Sequence, residues 1–182
     1  AGYPQGQGLP VLTLTYNSDP GHQAVAQEIA RQLSHIGVTV QLLANDWDYH
    51  KKQMYQRAMS FFRWGWLADY PDPDNFLYTL FHSSQIGGAN FTGYHNPRVD
   101  KILESSRAEY RDAQARLKLL ARAEEKIVDD APCLWLFQKK VHILVSPEVT
   151  GLRINGLGCI DWYSAELLKP QVAPTLDAKG KT

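Results

Sequence analysis

Short apolar runs alternate with helical periodicity along the first part of the chain. Residues 11–16 (VLTLTY) form a β-rich run; after it, Asp19 can cap a helix and Pro20 suits its first turn. The next apolar positions recur at the spacings of one helix face, and they are Val25, Ile29, Leu33 and Ile36. Gly37 is the expected stop, and residues 38–43 (VTVQLL) are the next strand. Strand, helix and strand with short links predict a right-handed βαβ unit.

The same patterns predict the remaining elements. Helices are expected over residues 46–57, 74–81, 96–110 and 111–129, and further strands over 59–66, 134–138 and 141–145. The inward positions of the longest helix are expected to be Leu117, Leu120, Ala121 and Ile127. The stretch from Pro170 is polar and contains proline, which predicts a loose tail.

These elements indicate an α/β fold. We expect a mainly parallel central sheet with helices on both faces, because near-continuous apolar strands suit burial on both sides. Its strands are predicted at 11–16, 38–43, 59–66 and 133–138.

Composition narrows the function. The 182 residues are 44% hydrophobic and 21% charged, which is ordinary for a globular protein. Lys plus Arg and Asp plus Glu both number 19, which argues against a nucleic-acid partner or an anionic membrane surface. No apolar run has the length of a bilayer span, and no signal peptide starts at Ala1, so we expect a mature chain or a fragment.

Sequence patterns of catalysis and metal binding are missing. The chain has no GxSxG, P-loop or GxGxxG motif, and its six histidines show no HExxH spacing. The carboxylates Asp69, Asp72 and Asp74 lack EF-hand spacing, so turn chemistry is the better interpretation. We therefore expect no enzyme, no cofactor and no metal site. Cys133 and Cys159 are expected to be buried thiols, with a disulfide left open.

The segment FFRWGWLADYPDPDNFL, residues 61–77, carries the most chemistry. It combines an aromatic strand with an acidic, proline-containing turn. Aromatic faces beside fixed carboxylates can hold a ligand with both an apolar part and a positive charge. The competing interpretation is an edge strand followed by a loop over the core.

Several blocks together resemble one family. In chain order they are LPVLTLTYNSD, QLSHIGVTVQL, GWLADYPDPDNFL, NFTGYHNPRVDKIL, RLKLLARAEEKIVDDAPCLWLF and VSPEVTGLRINGLG. The residues of these blocks and their order along the chain resemble the peptide-binding class (family 5) of bacterial ABC-transporter solute-binding proteins, the oligopeptide and dipeptide receptors. The resemblance covers about residues 3 to 168.

The resemblance implies a ligand site. A carboxylate at the place of Asp69 would hold the α-ammonium of a bound peptide, while Gly65, Trp66 and Leu67 would offer main-chain groups to it. Trp66 would also form a wall of a side-chain pocket, whereas Trp64 is better interpreted as a core tryptophan. The weaker candidates are Arg63, which could reach a ligand carboxylate, and the rim residues Tyr70, Asn90, Phe91 and Tyr94.

The resemblance also implies a domain organisation. Residues 1–140 would be the carboxy-terminal lobe of a two-lobed protein, 141–168 would cross back to an amino-terminal lobe missing here, and 169–182 would be the tail. The apolar runs in 141–168 would lack partners, so we expect self-association through that segment.

The resemblance further implies an exported receptor, periplasmic or a cell-surface lipoprotein, that closes on a peptide and delivers it to permease subunits. The alternatives are another solute (a nickel chelate, an opine or an oligosaccharide) and the ligand-sensing domain of a transcription regulator. The regulator needs a basic DNA-binding segment, which this sequence lacks.

Overall fold

Two parallel strands and a crossover helix open the fold in the computed structural model, which describes residues 2–140 and 142–168. Strand β1 (Leu12–Asn17) pairs in parallel with β2 (Val40–Asn45), in a register that sets Leu14 opposite Leu42. Helix α1 (Pro20–Ser34) connects them, as the alternating pattern predicts.

Four further helices follow the βαβ unit. They are α2 (Trp47–Tyr55), α3 (Asp74–Phe81), α4 (Pro97–Ala108) and α5 (Ala113–Asp130). Local side-chain caps fix several of the starts: Asp19 accepts hydrogen bonds from the N–H groups of Gly21 and His22, and Asp46 accepts one from Tyr49. Helix α5 ends where Ala131 turns left-handed at φ 48°, just before Pro132.

The described residues separate into two compact units. Residues 2–68 and 72–134 form the first unit, and 69–71 with 135–140 and 142–168 form the second. The second unit holds two short antiparallel pairs: β3 (Val149–Thr150) with β6 (Glu166–Leu167), and β4 (Arg153–Ile154) with β5 (Ile160–Asp161).

The first unit contains two hydrophobic clusters. One joins α3, α4 and α5 through Leu77, Phe81, Val99, Leu103, Leu120, Ala123 and Ile127. The other lies between the strands and α1, and its buried members are Leu14, Tyr16 and Ala26. The helices and the parallel pair of strands confirm the α/β class.

Several finer predictions are wrong. The strand predicted over 59–66 reduces to a single parallel bridge between Phe62 and Thr15, and residues 133–138 form no strand. Residues 142–145 form no strand either, and Val141 lies outside the described residues, as does the tail from 169. The sheet that the described residues contain is therefore narrower than the four strands expected.

Two burial predictions also need correction. On α5 the buried face carries Leu120, Ala123 and Ile127, while Leu117 is 43% exposed and Ala121 is also exposed. Both cysteines are free thiols, but Cys133 is only half-buried and Cys159 is exposed. Burial raises the pKa of the Cys133 thiol.

Candidate functional site

The candidate site segment, residues 61–67, leaves the sheet beside β1. The N–H of Thr15 donates to the carbonyl of Phe61 at 3.0 Å, and the N–H of Arg63 donates to the carbonyl of Thr15 at 2.8 Å. The carbonyl of Arg63 accepts from Nε2 of His50 on α2 at 3.2 Å. The donor to the Arg63 carbonyl is thus a histidine side chain and not the main chain of a strand. The pairing of the segment with β1 is limited to one bridge.

Beyond Arg63 the main chain is open. Gly65 is exposed, and a Cβ built on it would meet no atom within 4 Å. Leu67 is 79% exposed, while Trp66 is half-buried and its indole N–H donates to Oδ1 of Asn75 at 2.8 Å. The geometry gives Trp66 a fixed orientation and leaves the main chain of Gly65 accessible to another extended chain.

The acidic turn after the site segment is held by ion pairs to helices α4 and α5. Oδ1 of Asp72 accepts the N–H of Asp74 at 2.8 Å, which is the turn chemistry expected from the sequence. Both carboxylates also form two-pronged ion pairs, Asp72 with Arg116 of α5 and Asp74 with Arg107 of α4, with N–O distances between 2.8 and 2.9 Å. Planar guanidinium–carboxylate pairs fix geometry as well as charge.

The Asp72–Arg116 pair predicts a pH-dependent contribution to stability. The Arg116 guanidinium lowers the pKa of Asp72 below its ordinary 3.8. A carboxyl group with a lowered folded-state pKa stabilises the fold above its unfolded value, and that contribution is lost as the pH falls through the folded value. Arg116→Gln should therefore remove about 1 kcal/mol of unfolding free energy near neutral pH, because the pair is partly exposed.

The measurement is urea unfolding of this variant and of Arg122→Gln, a matched change at an exposed arginine of the same helix. The loss in Arg116→Gln should shrink as the solution is acidified below about pH 4, where Asp72 becomes protonated in the unfolded chain. A loss that stays constant through this range would contradict the pair's role.

Aromatic rings pack around Trp64 of the segment. Trp64 stacks on Trp47 of α2 with centroids 5.3 Å apart and ring planes 1° apart, and it meets Phe91 edge-on at 5.3 Å. Tyr55 meets Phe91 at 5.2 Å. The indole N–H of Trp64 is buried without a hydrogen-bond partner among the described residues. Trp64 thus packs in an aromatic cluster, while Phe91 is buried at 8% exposure.

Arg63 is half-buried, and its Nε has no hydrogen-bond partner among the described residues. Burial lowers the pKa of the Arg63 guanidinium, and the nearby Asp19 carboxylate opposes that shift. An incompletely paired guanidinium at this edge is chemically suited to a carboxylate.

The predicted rim residues Asn90 and Tyr94 serve the loop before α4. Asn90 is fully buried; its amide donates to the carbonyls of His82 and Tyr94 and accepts from Thr92 and from the N–H of Tyr94. The Tyr94 hydroxyl donates to Asp130 at 2.6 Å, and burial together with that carboxylate raises the pKa of Tyr94. These bonds hold the loop; a ligand contact by either residue stays a prediction.

Asp69 and Tyr70 are both exposed, and they belong to the second unit. Their grouping with Gly65 and Trp66, which belong to the first, stays a prediction.

The residues that sequence reasoning missed are the supports of the segment: His50, Asn75, Arg107 and Arg116. Asn75 lies in the same sequence motif as Trp66, so its closeness to Trp66 could have been predicted from the sequence. The two arginines lie 33 and 44 positions from their carboxylates, and no local pattern links them.

Among the described residues, no helix is long and apolar enough to cross a membrane. No group of three His, Cys, Asp or Glu side chains in that part of the chain could hold a metal ion.

Comparisons with known proteins define the class. Residues 1–88 match the family described as "Bacterial extracellular solute-binding proteins, family 5 Middle". The oligopeptide-binding protein OppA of Bacillus subtilis is 35% identical over 132 residues, which are 72% of this chain and 24% of that protein. The dipeptide-binding protein DppE of the same organism is 31% identical over 156 residues, 84% of this chain and 28% of that protein.

A solved structure shares the fold. OppA of Burkholderia pseudomallei superposes with a TM-score of 0.70 at 32% identity, over 78% of this chain and 27% of that one. Fold and comparisons together define a bacterial solute-binding protein. The chain belongs to family 5 of the bacterial extracellular solute-binding proteins, and it spans about a quarter of the length of these relatives.

Proposed function

We propose that the chain is part of the ligand-binding lobe of an ABC-importer solute-binding protein that captures extended peptides by closure of two lobes. The observation that carries the proposal is the open main chain at Gly65, at the end of a segment that has just left a parallel sheet. Ligands of open α/β sheets bind at the carboxyl ends of the strands. The similarity to proteins named for oligopeptide and dipeptide binding supports the same function.

In this proposal the segment recognises what all peptides share. Gly65 and Leu67 pair with the ligand main chain as with an added strand, so the ligand sequence matters little. Trp66, held by Asn75, forms one wall of a side-chain pocket. Asp69 holds the ligand's α-ammonium, and Arg63 is available for a ligand carboxylate.

The location and partners follow from the same proposal. The protein is exported, as a periplasmic protein or a cell-surface lipoprotein, and hands its peptide to the permease subunits of the importer. Relatives named periplasmic oligopeptide-binding proteins support the periplasmic part. Residues 1–140 act as the carboxy-terminal lobe, and residues 141–168 return to an amino-terminal lobe outside this sequence.

The proposal is tested by native mass spectrometry of the full-length protein with a mixed peptide library, followed by calorimetric titration of the peptides retained. A bound peptide that protects residues 63–67 from hydrogen exchange would support it. Retention of a sugar, a nickel chelate or an opine in place of peptides would redirect it to the alternative solutes.

We also propose that the isolated chain self-associates through residues 141–168. Large apolar and aromatic side chains in that segment are highly exposed: Leu144 by 101%, Tyr163 by 105% and Trp162 by 69%. Exposed apolar surface of this extent is typical of an interaction site. Light scattering of the 182-residue chain should therefore give a mass above the monomer. Deletion of residues 141–182 should restore the monomer, whereas a strictly monomeric full chain would contradict the proposal.

A further inference from the structure

His50 is a fully buried histidine directly beneath the candidate site segment. It lies on α2, is 0% exposed, and its Nε2 bonds the carbonyl of Arg63 at 3.2 Å. Because a carbonyl can only accept, Nε2 carries the proton, and in the neutral ring Nδ1 is then an acceptor. Nδ1 is buried and has no hydrogen-bond partner among the described residues.

Helix α2 contacts the segment through more than this hydrogen bond. Trp47, one turn before His50, stacks on Trp64, and Met54, one turn after it, is 1% exposed. The helix therefore holds the segment by an aromatic ring and by one hydrogen bond to the main chain. That bond falls at Arg63, where the sheet pairing ends.

A neighbouring histidine disfavours a second proton on the ring of His50. His22 of α1 acts on it as a like charge, and its Nδ1 is also buried without a partner among the described residues. Arg63, whose carbonyl binds His50, carries a guanidinium that interacts electrostatically with the carboxylate of Asp19. On α2 itself Lys51 pairs with Asp48 at 3.5 Å. The charges on the neighbouring residues are thus of both signs, and His22 acts on the ring itself as a like charge.

We propose that His50 is a positioning residue whose neutral imidazole holds residues 63–67 in their ligand-ready conformation, so that acidification releases the segment and weakens ligand capture. The statement about capture rests on the proposed function; the statement about the segment does not. Protonation would place a charge in a buried site and a second N–H at Nδ1, which has no hydrogen-bond partner in the part of the chain that the structure describes, and both are unfavourable.

The direction of the pH effect follows from burial. Desolvation lowers the pKa of His50 from its ordinary 6.5, with His22 acting in the same direction and the bond to Arg63 opposing both. A histidine with a lowered folded-state pKa stabilises the fold above about pH 6.5, and this contribution declines as the pH falls below that value. The segment should therefore loosen in mild acid, before carboxylates titrate near pH 4.

Hydrogen exchange of the ligand-free full-length protein tests the positioning role directly. The amides of Thr15 and Arg63 are hydrogen-bonded between β1 and the segment. Their protection factors, corrected for intrinsic rates, should fall between about pH 7.5 and 5 in the wild type. His50→Gln keeps a donor near Nε2 and cannot titrate, so its protection should stay level. His50→Leu should lack the protection throughout. The proposal is overturned if His50→Gln shows the wild-type fall, or if the wild type shows none.

Peptide affinity over the same range tests the consequence for capture. A single coupled proton weakens binding by at most about tenfold per pH unit, and we expect this dependence in the wild type and in His95→Gln, an exposed-histidine control. His50→Gln should bind with little dependence on pH. An unchanged pH dependence in His50→Gln overturns the coupling to capture. If the wild type binds no peptide at any pH, the proposed function fails, and the exchange data still decide the role of His50.

Discussion

Asp69→Asn should weaken binding of peptides with a free amino terminus by about 10- to 100-fold in the full-length protein, because a hydrogen bond between charged groups contributes about 1.5–3 kcal/mol. Peptides with an acetylated amino terminus carry no ammonium and should lose much less. Calorimetric titration of one peptide in both forms measures the difference. Since asparagine has nearly the shape of aspartate, the change removes charge and leaves the packing intact.

The matched control is Asp48→Asn, at a carboxylate whose side chain is 87% exposed on α2. It should leave both affinities unchanged, which excludes a general effect of net charge on peptide association. If Asp69→Asn weakens binding of the free and the acetylated peptide equally, Asp69 does not hold the ammonium; that result contradicts the role of Asp69 and leaves peptide capture itself untouched.

Leu120→Ala should lower the free energy of unfolding by about 2–5 kcal/mol, the range for removing a buried leucine side chain from a packed core. Leu120 is 2% exposed in the cluster that joins α3, α4 and α5. The control is Leu117→Ala, the same substitution one turn earlier on α5, where the side chain is 43% exposed. It should cost about 1 kcal/mol or less.

Urea unfolding of the two variants, followed by circular dichroism, gives the comparison. Equal losses would mean that α5 presents a different face to the core from the one described. The pair thus also tests the correction to the sequence-based face of this helix.

The helices could be predicted well because their signals are local. Asp19, Asp46 and Asn96 each cap the helix that follows, and Pro97 stands at a helix start. The face of α5 was harder, because the run LKLLARAEEKIV allows two neighbouring apolar stripes. Packing against α3 and α4 selects the stripe with Ala123, and such a choice depends on residues far away in sequence.

Strands could be predicted less well because a strand needs a partner. Residues 133–138 have the composition of a buried strand but form none, and the run before Trp66 pairs with β1 only at Phe62. A hydrophobic run states only that a segment suits a sheet, and the pairing depends on distant chain. The candidate site shows the same difference. Its main candidates, from Arg63 to Tyr70, lie in one motif of the sequence, whereas the supporting residues Arg107, Arg116 and His50 lie outside that motif.

The chain between Arg63 and Asp72 is restrained at both ends. At one end Thr15 and His50 hold the main chain of Arg63, and at the other Arg116 holds Asp72. A stretch restrained in this way has few conformations to lose when a ligand orders it, and conformational entropy is a large part of what binding must overcome. Much of the ordering is thus completed when the protein folds. Under the proposed function, this leaves more of the free energy of each peptide contact to appear as affinity.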